Sequence, residues 1–259
     1  MKSIQLNKTS ISYEEEGEGE GEGIALLFIH GFPGRPQDFR KLWPRLSHFR
    51  CLSIALPGMG LSRSSSPEPI DMSDIRAVVD EFLEALNISH CVIMGHSLGG
   101  PVAVYCAAAN PQRYPLLVLL NSVGHRPHKA FRRIQLQHWN RLSWFPGFLH
   151  FCRWLFSKSG FPSSIDVEIW HYILRCTSRF NFNDHHRQLQ SLTQPSLIIG
   201  TTDDPLIEEE IFHQLGEITG GQTILLQSGG HNPQAGQSKE VAEALSAFIH
   251  QHWIAPSGL

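Results

Sequence analysis

Six short apolar runs, each closed by a turn of glycine, proline or polar residues, constrain this chain more than any other feature. They are IALLFIH, CLSIALPG, HCVIMG, PLLVLLNS, SLIIG and QTILLQ. A run such as IALLFIH (residues 24–30) shows no in-out alternation, so a strand made from it must be buried on both faces. Helical patterns fall between the runs. In DMSDIRAVVDEFLEALNI, Ile75, Val78, Val79, Phe82, Leu83 and Leu86 recur at helical spacing, with Ser73 or Asp74 as the expected cap. SLGGPVAVYCAAANP, LIEEEIFHQLGEI and SKEVAEALSAFIHQHW also read as helices, as does FRKLWPRLSH, which Pro44 should kink or shorten. Before the first run, Ile4, Leu6, Ile11 and Tyr13 alternate around a polar break, which predicts a hairpin. Alternating strands and helices imply an α/β fold, a mostly parallel sheet flanked by helices on both faces. Ligands of such sheets bind beyond the carboxyl ends of the strands. Those ends carry HGFPG, LPGMG, GHSLGG, NSVGH, GTTDDP and SGGHNP.

The 259 residues suit one large domain with an insertion, and 41% hydrophobic against 17% charged residues reads as soluble and globular. No apolar run approaches the roughly eighteen residues of a membrane span. The first ten residues show no secretory signal, and the final Ser257, Gly258 and Leu259 lack the central basic residue of a peroxisomal tail. Five cysteines at irregular spacing argue for a reducing compartment, so a cytoplasmic location is expected. The net charge of −3 depends on the six glutamates of EEEGEGEGEG (residues 14–23), expected to be a solvated loop.

GHSLGG (residues 95–100) joins a strand to a helix. A nucleophilic serine must project from a sharp, strained turn, which crowds the residues two before and two after it; here these are Gly95 and Gly99. The motif and its strand-turn-helix setting resemble the nucleophile elbow of the α/β-hydrolase superfamily, in its serine-nucleophile, esterase- and lipase-like branch. The likeness extends over nearly the whole chain outside residues 122–194. It implies the α/β-hydrolase fold with Ser97 as nucleophile. HGFPG resembles the family's oxyanion loop, which implies that the backbone amides of Phe32 and Leu98 hold the developing oxyanion.

Among fifteen histidines, His231 in SGGHNP is the expected base: it follows the last strand run and sits in a glycine-rich loop. His96 adjoins Ser97 and should point away from it, while His30 is expected to order the oxyanion loop. The pairs His125/His128 and His185/His186 lack the neighbours of a metal site, so no metal is expected. The family's chain order places an acid between Ser97 and His231, and GTTDDP offers Asp203 and Asp204; the end of PLLVLLNS has only Asn121 and Ser122. The resemblance implies Asp203 by the family's usual Gly-x-x-Asp spacing, counted from Gly200, and Asp204 by the frequent Asp-Pro pairing. Asp204 before Pro205 also suits a helix N-cap, so Asp203 is taken as the acid with Asp204 as the alternative.

Residues 122–194 carry ten Lys/Arg against three Asp/Glu and four of the six tryptophans. The family resemblance implies that they form a helical cap inserted into a core of residues 1–121 and 195–259. Phe145, Phe148, Leu149, Cys152, Leu155 and Phe156 share one helical face. With Arg126, Lys129, Arg132, Arg133, Arg141, Arg153 and Arg175 the segment is basic and aromatic, which suits an anionic substrate, an anionic membrane surface or a solvated basic face. The expected function is hydrolysis of a small carboxylic ester through a Ser-His-Asp triad and an acyl-enzyme, with a small-molecule acyl substrate, no cofactor and no nucleic-acid partner. Hydrolysis of a C–C bond, thioester or lactone on the same triad is the alternative, as is a non-catalytic small-molecule receptor on the same fold. The oligomeric state is left open.

Overall fold

The six apolar runs become neighbouring strands of a single twisted sheet. In the computed structural model, which describes residues 1–17, 24–64, 71–134, 142, 145–157 and 167–253, the strands are β1 (Lys2–Gln5), β2 (Thr9–Glu16), β3 (Ala25–Ile29), β4 (Arg50–Ile54), β5 (Arg63–Ser64), β6 (Cys91–His96), β7 (Leu116–Leu120), β8 (Ser196–Thr201) and β9 (Gln222–Leu226). Their order is β1-β2-β4-β3-β6-β7-β8-β9, with the short β5 paired to β2. The predicted hairpin is β1 against β2, antiparallel, and β2 also runs antiparallel to β4. Every pair from β4 through β9 is parallel. The carboxyl ends of β3, β6, β7 and β8 therefore meet along one edge.

The continuous apolar runs follow from burial on two faces. Leu27 and Ile29 of β3 face a layer that includes Val79, Phe82 and Val102, while Leu26 and Phe28 face Phe39, Leu42 and Phe248. Burying one such side chain is worth about 2 kcal/mol, so the strands are held by both layers at once. The first layer contains α1 (Met72–Ala85), α2 (Gly99–Ala109) and α7 (Glu209–Thr219); the second contains α9 (Ser238–His252), reached through the short α8 (Pro233–Gly236). Residues 122–190 contribute α3 (Lys129–Ile134), α4 (Pro146–Ser157), α5 (Val167–Arg179) and α6 (Phe182–Gln190).

Local expectations are corrected in four places. FRKLWPRLSH (residues 39–48) holds only the 3-10 turn Trp43–Arg45, and a second, Pro36–Phe39, ends where it begins, because Pro36 and Pro44 each suit the first positions of a new turn and not the interior of one helix. The cap of α1 is Asp71, upstream of Ser73: its carboxylate accepts from the Asp74 amide at 3.0 Å, and the Asp71 amide donates in turn to the Asp74 carboxylate. The first glutamates of the Glu/Gly tract are strand residues. Glu14 is buried in β2 and holds Arg40 and Gln37, and Glu15 bonds Lys2 and Arg50; residues 18–23 lie outside the described residues. Helix α7 starts at Glu209, so Asp204 is not its N-cap. Ser257–Leu259, Arg141 and the side chains of Arg133, Leu155 and Phe156 also lie outside the described residues. Among the described residues no helix is long and apolar enough to cross a membrane. All five cysteines are buried, and none is in a disulfide.

The helices of the 122–190 segment pack in two ways. Leu149 and Cys152 of α4 and Trp170, Ile173 and Leu174 of α5 form a separate cluster with Met59, against which Phe32 packs. Helix α6 instead joins the main core: Leu189 is buried there, and the Tyr105 hydroxyl of α2 donates to Asp184.

Helix α2 lies unusually close to the sheet. A Cβ on Gly99 would stand 2.5 Å from the carbonyl oxygens of both Ile29 and His30, and one on Gly100 would overlap the Ser122 side chain. Backbone cannot yield as a flexible side chain can, so Gly99→Ala should lower stability by about 3 kcal/mol or prevent folding. Gly220 (φ +64°) ends α7 with open space around it, and there Gly220→Ala should cost only about 1 kcal/mol of backbone strain. Urea midpoints of the two variants measure the contrast.

Candidate active site

The elbow predicted at GHSLGG is present as backbone strain. Ser97 has φ +53°, in the left-handed region that a residue with a side chain occupies at a cost. Three backbone hydrogen bonds hold it there: its amide donates to the Leu120 carbonyl, and its carbonyl accepts from the Gly100 and Val123 amides. Gly95 is required two residues earlier, since a Cβ there would come within 2.6 Å of the Gly100 Cα. The turn lifts the Ser97 hydroxyl off the end of β6 and into an apolar cavity.

His231 reaches the same point from the loop after β9. Its Nε2 lies 2.8 Å from the Ser97 Oγ, and its Nδ1 lies 2.8 Å from the Asp204 Oδ2. A carboxylate can only accept, so the His231 proton sits on Nδ1, and Nε2 is left to accept from the serine hydroxyl. Ser97, His231 and Asp204 thus form an unbroken chain of hydrogen bonds.

The acid in contact with the base is therefore Asp204, and the expectation that Asp203 would touch His231 is corrected. Asp204 is buried, its side chain fully covered, whereas Asp203 beside it is exposed. Asp204 combines two tasks on separate oxygens: Oδ2 meets His231, and Oδ1 accepts from the Leu206 amide at 2.7 Å and the Ile207 amide at 3.1 Å. Capping a turn and orienting a ring are compatible on one carboxylate, which is why the N-cap argument misassigned the pair. Burial alone would raise the Asp204 pKa, but the His231 bond and charge, the Leu206 amide and Asn121 together hold it below the usual carboxylate value. Asp203 holds the loop that carries the base, accepting from the Gly229 and Gly230 amides at 3.2 and 2.8 Å.

Three further residues, whose site roles the sequence reading did not assign, complete the frame. Asn121 ends β7 and is fully buried; its Nδ2 lies 2.7 Å from the Asp204 Oδ2, 2.9 Å from the Thr201 Oγ1 and 3.1 Å from the Gly230 carbonyl. Thr201 donates to the same Gly230 carbonyl at 2.6 Å. The His96 Nε2–H donates to the His231 carbonyl at 2.7 Å, with the two rings 5.1 Å apart; burial pushes the His96 pKa down to about 3. The available signal was a polar residue closing an otherwise apolar strand, as Asn121 and Thr201 both do.

Phe32 and Leu98 line the cavity beside Ser97. Among the described residues, neither backbone amide donates a hydrogen bond within the protein. His30 fixes the Phe32 loop: its Nδ1–H donates to the Gly31 carbonyl at 2.7 Å and its Nε2 accepts from the Leu56 amide at 3.1 Å. The cavity encloses about 780 Å³ including its mouth, and its wall is drawn from the core loops and from α3, α5 and α6. His125 and His186 face each other with ring centroids 5.4 Å apart, and among the described residues no three His, Cys, Asp or Glu side chains are placed to hold one metal ion.

One ionic cluster joins the roof of the cavity to the turn that carries Asp204. Glu208 accepts from Arg126 at 3.0 Å, from Arg132 at 2.9 Å and from the Lys129 amide at 2.6 Å. Part of the basic charge of residues 122–194 is therefore neutralised within the protein, as is that of Arg187 by Asp184.

The sequence model of a family described as "Alpha/beta hydrolase family" matches residues 26–244. The chain is 26% identical over 254 residues to the uncharacterized hydrolase YugF of Bacillus subtilis, covering 87% of this chain and 89% of the relative. Among solved structures, a thermophilic esterase from Thermogutta terrifontis superposes with a TM-score of 0.81 at 19% identity, covering 98% of this chain and all (100%) of the other. The enol-lactonase from Burkholderia xenovorans superposes with a TM-score of 0.78 at 17% identity, covering 96% and 100%. At these identities the two structures share the fold.

The Glu208 cluster has a pH signature. Partial burial would raise its pKa, but the bonds from the Lys129 amide, Arg126 and Arg132 lower it from the ordinary 4.5 to about 2. A carboxyl depressed in the folded state stabilises fully above its unfolded pKa and loses that contribution as pH falls through the folded one. Glu208→Gln should be less stable than the parent by about 2 kcal/mol at pH 7. The gap should close as pH falls from 4.5 towards 2, followed by denaturant unfolding at each pH.

Proposed function

The chain belongs to the α/β-hydrolase family, and on that premise we propose that it is a serine hydrolase cleaving a small carboxylic ester. The observation that carries this reading is the pair of 2.8 Å contacts linking Ser97, His231 and Asp204, with the serine hydroxyl opening on an apolar cavity. His231 removes the Ser97 proton as Oγ attacks the ester carbonyl, and Asp204 stabilises the imidazolium that forms. The carbonyl oxygen, now carrying the negative charge, accepts from the Phe32 and Leu98 amides. As the tetrahedral intermediate collapses, the C–O bond to the alcohol breaks and His231 returns the proton to the leaving oxygen. Water, deprotonated by His231, then cleaves the acyl-enzyme to the carboxylic acid and regenerates Ser97. No cofactor enters any step. The apolar wall suits an acyl chain, with α5 and the segment before α3 acting as the cap over it.

A fluorophosphonate probe should label Ser97 and leave Ser97→Ala unlabelled. A folded protein that neither reacts with the probe nor turns over esters of graded chain length would favour the receptor reading instead. Asp204→Asn should lower kcat about a thousandfold or more, because it removes the acceptor that sets the His231 tautomer. Asp203→Asn, which retains one carbonyl for the Gly229 and Gly230 amides, should lower it no more than about tenfold. Steady-state kinetics on one ester separates the two, and a larger loss in Asp203→Asn would overturn the assignment.

A further inference from the structure

We infer that His128 is a specificity-determining residue, a fixed hydrogen-bond acceptor in the cavity wall that selects uncharged acyl substrates bearing a hydroxyl or N–H donor. The inference rests on the reading of this cavity as the acyl-ester site. Apart from Ser97, His231 and the indole of Trp170, the polar side chains lining the cavity are His128 and Thr177. Each has a spare lone pair and no spare hydrogen. The His128 Nδ1 lies 3.0 Å from the Leu206 carbonyl, a contact that only a protonated Nδ1 can make. The Phe131 amide is also near this nitrogen, at 3.4 Å, but it cannot donate to a nitrogen that already carries its proton. With the proton on Nδ1, Nε2 has a lone pair and no hydrogen. Burial pushes the His128 pKa down to about 4, which keeps the ring uncharged at neutral pH. The Thr177 hydroxyl spends its hydrogen on the Ile173 carbonyl at 2.8 Å, which leaves only its lone pairs for a ligand.

The acceptor is held rigidly. Immediately after His128, the Lys129 amide donates to Glu208, the Lys129 Nζ donates to the Asp204 carbonyl and the Ala130 amide donates to the Leu206 carbonyl. A short strip of chain is thereby laced to the turn that carries Asp204, so His128 cannot swing aside to admit a mismatched group. In an apolar cavity a preorganised acceptor left without a donor is costly, which is the condition under which one hydrogen bond discriminates strongly. An anionic acyl group would meet the lone pairs of His128 and Thr177 and no Lys or Arg among the described lining residues, so the basic composition of this segment does not make the cavity an anion site.

Calorimetric titration of the Ser97→Ala protein tests this without turnover, using ethyl octanoate, ethyl 2- and 3-hydroxyoctanoate, 2-hydroxyethyl octanoate and monoethyl suberate. At least one hydroxylated ester should bind about tenfold tighter than ethyl octanoate, and the suberate half-ester should bind more weakly than ethyl octanoate. In His128→Asn, whose amide still reaches the Leu206 carbonyl but offers no acceptor at the Nε2 position, the hydroxyl advantage should fall to about twofold or less. In His128→Gln, whose amide oxygen stands near that position, it should persist. Equal binding of all neutral esters, tighter binding of the half-ester, or an advantage that survives His128→Asn would overturn the inference. Because the readout is binding, loss of fluorophosphonate labelling would sink the hydrolase reading separately.

Discussion

A serine held at φ +53° sets the terms for the rest of this molecule. The left-handed turn exists only where nothing else competes for its space, and so β6 and α2 approach each other to a distance that excludes side chains at Gly95, Gly99 and Gly100. That approach brings the amino end of α2 against the ends of β3 and β7, and with it the loops that follow those strands. Phe32 and Ser122 are near Ser97 for this reason. The strain of one residue is small beside the burial of the two apolar layers, which is what allows it to persist.

The second constraint is the saturation of Asp204. Its two oxygens accept from His231, Asn121, Leu206 and Ile207. A buried carboxylate with this many donors stays ionised and keeps one orientation, and the donors come from three places: the end of β7, the loop after β9 and its own turn. The base loop is tied down as thoroughly, through Asp203 at its amides and through Asn121, Thr201 and His96 at its carbonyls. Positioning here is distributed over backbone groups, and little of it is visible as residue type.

This distinction explains what could be read from the chain before its structure. The parallel sheet, Ser97 and His231 were legible, because unbroken apolar runs, glycines flanking a serine and a histidine in a late glycine-rich loop each leave a mark on composition. The choice between Asp203 and Asp204 was not, because both orientations satisfy the same local turn chemistry and only the path of the β9–α8 loop decides between them. Asp71 was missed as the cap of α1 because Ser73 and Asp74 offer equally good cap chemistry, and the selection is made by where Met72 and Ile75 are buried. The buried Glu14 looked like part of a solvated tract because its partner, Arg40, is distant in sequence. The packing of α6 into the main core, with Phe182 at its start still lining the cavity, was likewise set by long-range contacts with Tyr105.

The lacing between residues 126–132 and residues 204–208 blurs the modularity that the chain order suggests. An insertion bounded by core strands invites exchange as a unit with that of another hydrolase. Here the graft would carry away Arg126, Lys129 and Arg132, yet leave Glu208 and the Leu206 carbonyl behind in the host. The abandoned groups lie within four residues of Asp204, so a transplanted roof would disturb the acid as well as the pocket. The exchangeable unit is discontinuous: the inserted segment and the turn from Asp204 to Glu208 travel together.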